Sequence, residues 1–466
     1  MANVNRRQFL SGLSALGMAG SAGIFSQLVG SSAQAAGSGY KALVCLMLTG
    51  GMDHYDTILP ADDISYNAYA SYRGALLSAY GQGYGTRERA RLNLLNASNI
   101  SKFGGQKFGV PDDLAPLQAL FNSGDAAVVG SVGPLIEPIG RDAYEAGRGL
   151  IPAQLYSHND QRSTWMTFGT EGTVKGWGGR FADGSMAQTH PFSVVSAGGM
   201  TPFLTGDEAY PYIVRPNGPV PMVPTDTNWV LPSVYRNDHT RAVLEQHLAS
   251  HDIALGNALS RDLARMNGRA IDAQKEFQTC WNMRTQVATS FPTSYLGAQL
   301  QTVAETIGMR NLLNVPRQVF FVQLPGFDTH SGQPTRLSAL HSDLAESVRS
   351  FVAAMKELGT HDDVTLFTLS DFGRSMIDNG DGTDHGWGSH HFVVGGSVKG
   401  GAIYGDIPPP DLSLQNYTRS KGRLIPTTSV DQYAATLGAW FGLNNTDLTA
   451  ALPNIGNFGQ KTLGFL

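Results

Sequence analysis

Residues 42–48, ALVCLML, form a near-continuous apolar run that ends in Thr49-Gly50-Gly51-Met52-Asp53-His54. A run without alternation is the pattern of a strand covered on both faces, which places it centrally in a parallel sheet. The two glycines permit an unusual backbone and set a carboxylate just past the strand's C-terminal end. Two later runs repeat the arrangement. Residues 319–324 (VFFVQL) lead into Gly326-Phe327-Asp328-Thr329-His330, and residues 364–369 (VTLFTL) lead into Ser370-Asp371. Between these two runs, Leu337, Leu344, Val348, Phe351, Met355 and Leu358 lie on one helical stripe over 337–358, and Gly359 stops it. Strand, helix and strand of these lengths read as a right-handed βαβ unit.

The expected fold is therefore α/β, with a large, mostly parallel sheet flanked by helices on both faces. Residues 116–121 read as a short helix before a second buried strand at 126–130. Residues 157–168 (SHNDQRSTWMTF) open with good N-cap residues and predict a helix. A long helical region is expected over 238–281 and a capped amphipathic helix over 429–443. Helical and loop insertions are expected over about 170–315.

The first 35 residues have a different character. Asn5-Arg6-Arg7-Gln8-Phe9-Leu10 is a twin-arginine pattern, a mildly apolar Gly/Ser/Ala-rich stretch follows to Val29, and Ala33-Gln34-Ala35 offers small residues to a signal peptidase. This layout predicts an export signal of the Tat type over 1–35, a domain from 36 to 466, and a periplasmic or secreted location, with the Tat translocon a transient partner. A membrane anchor fits less well because the apolar stretch is short and rich in Gly and Ser. A net charge of −5 argues against nucleic acid as a partner. Two cysteines, Cys45 and Cys280, make no disulfide framework, and the sequence leaves open whether they pair.

In a parallel sheet the C-terminal strand ends share one edge, where ligands bind. Three such ends carry Asp and His: Asp53 with His54, Asp328 with His330, and Asp371. The last opens a Gly/Asp-rich loop that also holds Asp378, Asp381, Asp384, His385, His390 and His391. Carboxylate and imidazole together suit a divalent ion such as Zn²⁺ or Mn²⁺, one or two in number. The candidate ligands are Asp53, Asp328, His330, Asp371 and His385, with Asp384 and His390 in reserve. Each also has a plain structural reading. Asp53 can cap a helix, Asp328 and His330 can form a turn, and His390 and His391 face opposite ways on a strand, so that one at most meets the site. His54 reads as a wall residue, and Asp378 and Asp381 as parts of a solvated turn.

The motifs LTGGMD, SHNDQ…W, FDTH, LSDFGR, TDHGWGSHHFVVGGSVKGG and SVDQYAATLGAWFG, following a twin-arginine leader, resemble the DUF1501 family of exported bacterial proteins. That resemblance implies a fold related to the alkaline phosphatase/sulfatase superfamily. It implies metal ligands at Asp53, at Asp328 and His330, at Asp371, and at His385 or His390. The superfamily has a His after the third Asp, where this chain has Phe372, and Arg374 or His390 is then the residue to compensate. Arg374 is also a candidate for holding an anionic oxygen. The implied nucleophile position is Ser157, at a helix start, with Ser163 and Thr164 behind it. The Cys/Ser-Pro-Arg signature of formylglycine sulfatases is absent.

Two functions are consistent with these residues. One is an exported metal-dependent hydrolase of phosphate or sulfate esters acting on a small anionic substrate. The other is a non-catalytic binding or assembly module that engages a cell-envelope component on a degenerate form of the same fold.

Overall fold

The computed structural model describes residues 39–81, 85–186, 190–216, 218–219 and 258–466. The export signal expected over 1–35 and the first part of the helical region expected over 238–281 lie outside the described residues.

The central sheet has ten strands, here β1 (Lys41–Thr49), β2 (Ala126–Gly133), β3 (Val194–Ser196), β4 (Tyr212–Arg215), β5 (Gly218–Pro219), β6 (Arg317–Pro325), β7 (Val364–Ser370), β8 (Ser389–Val394), β9 (Ile403–Gly405) and β10 (Thr428–Ser429). Their order is β9-β2-β8-β7-β1-β6-β3-β4-β5, with β10 also paired to β2. β1 pairs in parallel with both β7 and β6. β8 runs antiparallel to both of its neighbours, and β5 runs antiparallel to β4. The mostly parallel sheet read from the sequence is thus observed. Strands β6 and β7, expected as one βαβ unit, are parallel but sit on either side of β1.

The unalternating run of β1 behaves as its composition demands. Ala42, Val44, Leu46 and Leu48 enter one core, and Leu43, Cys45 and Met47 enter the other, all fully buried. Helices cover both cores. On the first side lie α6 (Tyr295–Gly308) and α7 (Gln333–Glu357), through residues such as Leu300, Leu344 and Phe351. On the second lie α4 (Trp177–Ser185) and α8 (Val430–Phe441), through Phe181 and Leu437. α8 is opened by a capping box between Ser429 and Gln432. α7 begins at Gln333, four residues before the apolar stripe that announced it, with Pro334 in its first turn. Further helices are α1 (Asp63–Tyr72), α2 (Ala115–Ser123), α3 (His158–Thr167) and α5 (Ala258–Met283).

Cys45 and Cys280 are both free and buried, so the chain has no disulfide between them. Among the described residues, no helix is long and apolar enough to cross a membrane.

Candidate metal centre

The three central parallel strands, β7, β1 and β6, end side by side. Gly50 and Gly51, after β1, adopt φ of 118° and 89°. A Cβ on Gly50 would lie 2.4 Å from the backbone nitrogen of Asp328, and one on Gly51 would lie 2.4 Å from the Phe372 ring. Glycine is therefore required for the loops after β1, β6 and β7 to approach each other this closely. A hairpin of Arg374–Asp378 and Thr383–His385 follows β7 and pairs Arg374 with His385. From the far side, the first residue of α3, His158, points at the same spot.

Asp328 is the hub. Its Oδ1 lies 3.3 Å from Nε2 of His330, 3.5 Å from Nε2 of His385 and 3.6 Å from Nε2 of His158. The opposite nitrogen of each ring faces an acceptor. His385 Nδ1 is 2.8 Å from the carbonyl of Tyr156, and His158 Nδ1 is 2.8 Å from Oδ2 of Asp371. His330 Nδ1 is 3.7 Å from Oδ1 of Asp384. A carbonyl can only accept, so His385 carries its proton on Nδ1 and turns the lone pair of Nε2 toward Asp328. The Asp371 carboxylate selects the same tautomer for His158. Imidazoles oriented in this way by outer partners are the arrangement that metal-binding histidines use.

The site is also electrostatically prepared. Burial pushes the Asp328 carboxyl up, but its hydrogen bond with Arg374 and the charges of Arg374, His158 and His330 hold it below the usual carboxylate range. His385 is held below the usual imidazole range by burial and by the cationic character of Arg374, His158 and His330, against its bond to Tyr156. Asp328 nevertheless remains 47 % exposed, so the cluster opens to solvent. Asp371 Oδ1 is buried without a partner among the described residues.

His158, Asp328 and His385 each offer a ligand atom within 4.8 Å of the other two. Ligands held tetrahedrally at about 2.1 Å from a zinc ion stand about 3.4 Å apart. The 3.3–3.6 Å separations around Asp328 match that spacing. His330 Nε2 is 2.8 Å from His385 Nε2, a hydrogen-bond separation. The donors of His158, Asp328 and His385 are of the kind that holds Zn²⁺ or a similar ion, with His330 bonded to His385 beside them.

A family model described as "Protein of unknown function (DUF1501)" matches residues 40–452. The chain belongs to the DUF1501 family. No curated protein matches it. Among solved structures, this DUF1501 chain is similar to the PsFucS1 sulfatase from Pseudoalteromonas sp. (11% identity, 91% of this chain and 71% of that one, TM-score 0.33). It is also similar to the phosphonate monoester hydrolase SpPMH from Silicibacter pomeroyi (10%, 87% and 74%, TM-score 0.34). A third likeness is to the C-terminal periplasmic domain of EcEptC from Escherichia coli in complex with Zn (11%, 88% and 84%, TM-score 0.30). Scores at this level carry no argument about chemistry.

The other residues singled out in the DUF1501 sequence lie around the hub or away from it. Asp53 is fully buried, and its carboxylate is gripped by Arg73, the residue after α1, at 2.6 and 3.0 Å. Arg73 also reaches Asp56 at 2.7 Å and the carbonyls of Ser375 and Met376, which engages all five of its donors. Asp53 is therefore held in an ion pair instead of joining the Asp328 group. Asp384 stands to the side, paired with Lys421 at 3.0 Å. His390 is not brought to the cluster. It sits inside the sheet, its Nδ1 accepting from the backbone of Ser131 at 3.0 Å, and burial lowers it to about 3. His391 is likewise internal, between Ser389 and Thr368.

Ser157 caps α3, and its hydroxyl donates to Oδ2 of Asp160 at 2.9 Å. Arg374 is buried and bound to the carbonyls of Gly50, Gly51, Phe327 and Thr383 as well as to Asp328. It braces the three loops and has little left for an anion. Phe372 packs against His158 and His385, with ring centroids at 4.7 and 4.5 Å. His158 was not singled out from the sequence. Its only signal is its place in SHNDQ, next to the capping serine.

Proposed function

We propose that this DUF1501 protein is an exported, metal-dependent hydrolase of phosphate or sulfate esters. Its single divalent ion, Zn²⁺ or Mn²⁺, would be held by His158, Asp328, His330 and His385. The observation that carries this reading is the convergence of three Nε2 atoms on one solvent-open carboxylate at the C-terminal edge of the sheet. A bound cation there would neutralise charge on the transferred group. Asp371 and Tyr156 face the Nδ1 atoms of the two rings, which leaves each Nε2 turned toward the ion. Arg374 fixes Asp328, and the exposed Lys421, paired with Asp384, is a cation that could meet an anionic substrate. A single ion is proposed because Asp53 is engaged by Arg73, which it shares with Asp56, and because Phe372 offers no ligand. Ser157 is engaged as the cap of α3 and with Asp160, and water would be the attacking group. Extracytoplasmic location rests on Arg6-Arg7 and the Ala33-Gln34-Ala35 site.

The test is elemental analysis of the purified chain beside Asp328→Ala, followed by assays on aryl phosphate and aryl sulfate. One equivalent of transition metal and ester hydrolysis, both lost in the variant, are expected. No metal in either protein after reconstitution would sink the proposal. The packing of Phe372 on two of the four ligands favours a second reading, a non-catalytic envelope module that holds a structural ion. Under that reading the metal is found, and no ester is cleaved.

A further inference from the structure

We infer that Gln333, the first residue of α7, is the positioning residue that sets the metal affinity of the site; the inference rests on the metal centre proposed above. Gln333 is fully buried, and its amide is saturated. Its Nε2 donates to Oδ2 of Asp53 at 2.7 Å and to Oδ2 of Asp56 at 2.9 Å. Its Oε1 accepts from the hydroxyls of Thr329 at 3.0 Å and Thr383 at 2.8 Å. Its backbone nitrogen donates to the carbonyl of Asp381 at 2.9 Å. Carboxylates only accept, so the amide has a single allowed orientation.

Each partner matters for where it sits. Thr329 lies between Asp328 and His330, and Thr383 directly precedes Asp384 and His385. The backbones of these two segments are also joined, from Thr383 N to Thr329 O at 3.1 Å. One side chain thus ties both ligand-bearing loops to the rigid ion pairs of Arg73 with Asp53 and Asp56. The Asp328, His330 and His385 side chains take their spacing from that anchorage. Gln333 touches none of the ligand atoms, so its effect passes through the two threonines.

Zn²⁺ affinity measured by competition with a chromophoric chelator, together with the unfolding midpoint of the chelator-treated full chain, tests this. Gln333→Glu is nearly isosteric but turns an oxygen toward two carboxylates. The Thr329→Val, Thr383→Val double variant removes only the hydroxyl donors and remains informative where Gln333→Glu does not fold. Zn²⁺ affinity in the folded variants is expected to fall 10- to 100-fold, the usual range for outer-sphere partners of metal ligands. A lowered midpoint with affinity within twofold of the parent would overturn the inference and leave Gln333 a purely structural residue. A parent chain that binds no Zn²⁺ would instead overturn the metal centre itself.

Discussion

His158 and Asp371 stand 213 residues apart in the chain and meet through a 2.8 Å contact between Nδ1 and Oδ2. The contact fixes both the tautomer and the aim of a ring that starts a helix. Asp371→Ala is expected to weaken Zn²⁺ binding 10- to 100-fold. Asp371→Asn is expected to weaken it less, because the amide oxygen can still accept from Nδ1. Competition titration of the two variants separates these outcomes, and equal affinities would remove Asp371 from the support of the site.

Arg73 carries the opposite kind of prediction. Its guanidinium is fully buried between Asp53 and Asp56. Removing it strands two carboxylates away from water. Arg73→Met is therefore expected to destabilise the fold by roughly 3–5 kcal/mol, read from urea unfolding at neutral pH. A loss under 1 kcal/mol would contradict the ion-pair description.

Acid should weaken the protein through its internal histidines. Burial lowers His390 and His391 to about 3, and it lowers His54 in the same direction. Below the ordinary imidazole range the unfolded chain takes up protons that the folded chain refuses. Stability is then lost as pH falls from about 6.5 toward 3, by about 1.4 kcal/mol per pH unit for each such group. A His390→Asn, His391→Asn variant is expected to show a flatter fall in unfolding free energy between pH 6.5 and 4.5. An unchanged slope would show that these rings titrate normally.

Gly51→Ala tests the packing of the loops. The new methyl would meet the Phe372 ring at 2.4 Å, on a backbone with φ of 89°. The left-handed strain and the overpacking together are expected to cost at least about 2 kcal/mol. Metal affinity is expected to drop as well, since Phe372 lies against His158 and His385. Thermal unfolding with and without Zn²⁺ reads both effects.

The strands were legible in the sequence because burial on both faces leaves no polar alternation to confuse the reading. Ala42, Val44 and Leu46 on one side and Leu43 and Cys45 on the other are the physical content of ALVCLML. That Asp328, His330 and His385 come together was legible for a related reason: a strand end or a Gly-rich turn in an α/β sheet is where polar groups can gather. His158 was hidden because it comes from a helix start, where a polar residue beside the capping Ser157 reads as part of the cap. The engagement of Asp53 was hidden more deeply. Nothing local to Arg73 says that it folds back over a carboxylate 20 residues earlier, since that depends on α1 packing beside the Arg374–Asp378 strand. His390 stands away from the cluster because its Nδ1 meets the backbone of Ser131, 259 residues away, through a strand pairing that periodicity cannot register.

Tyr156 has φ of 72°, a left-handed backbone that a bulky side chain adopts only at a cost of about 1–3 kcal/mol. In that conformation its carbonyl reaches His385, 229 residues further along. Relaxing that backbone would withdraw the carbonyl and remove one of the restraints on the His385 ring. A cation held by His385 would oppose the withdrawal, and such an ion would act as a clasp across nearly half the polypeptide. Stripping it with a chelator should then loosen the loop before α3 first, and the first new protease cleavage would fall there, well before the sheet gives way.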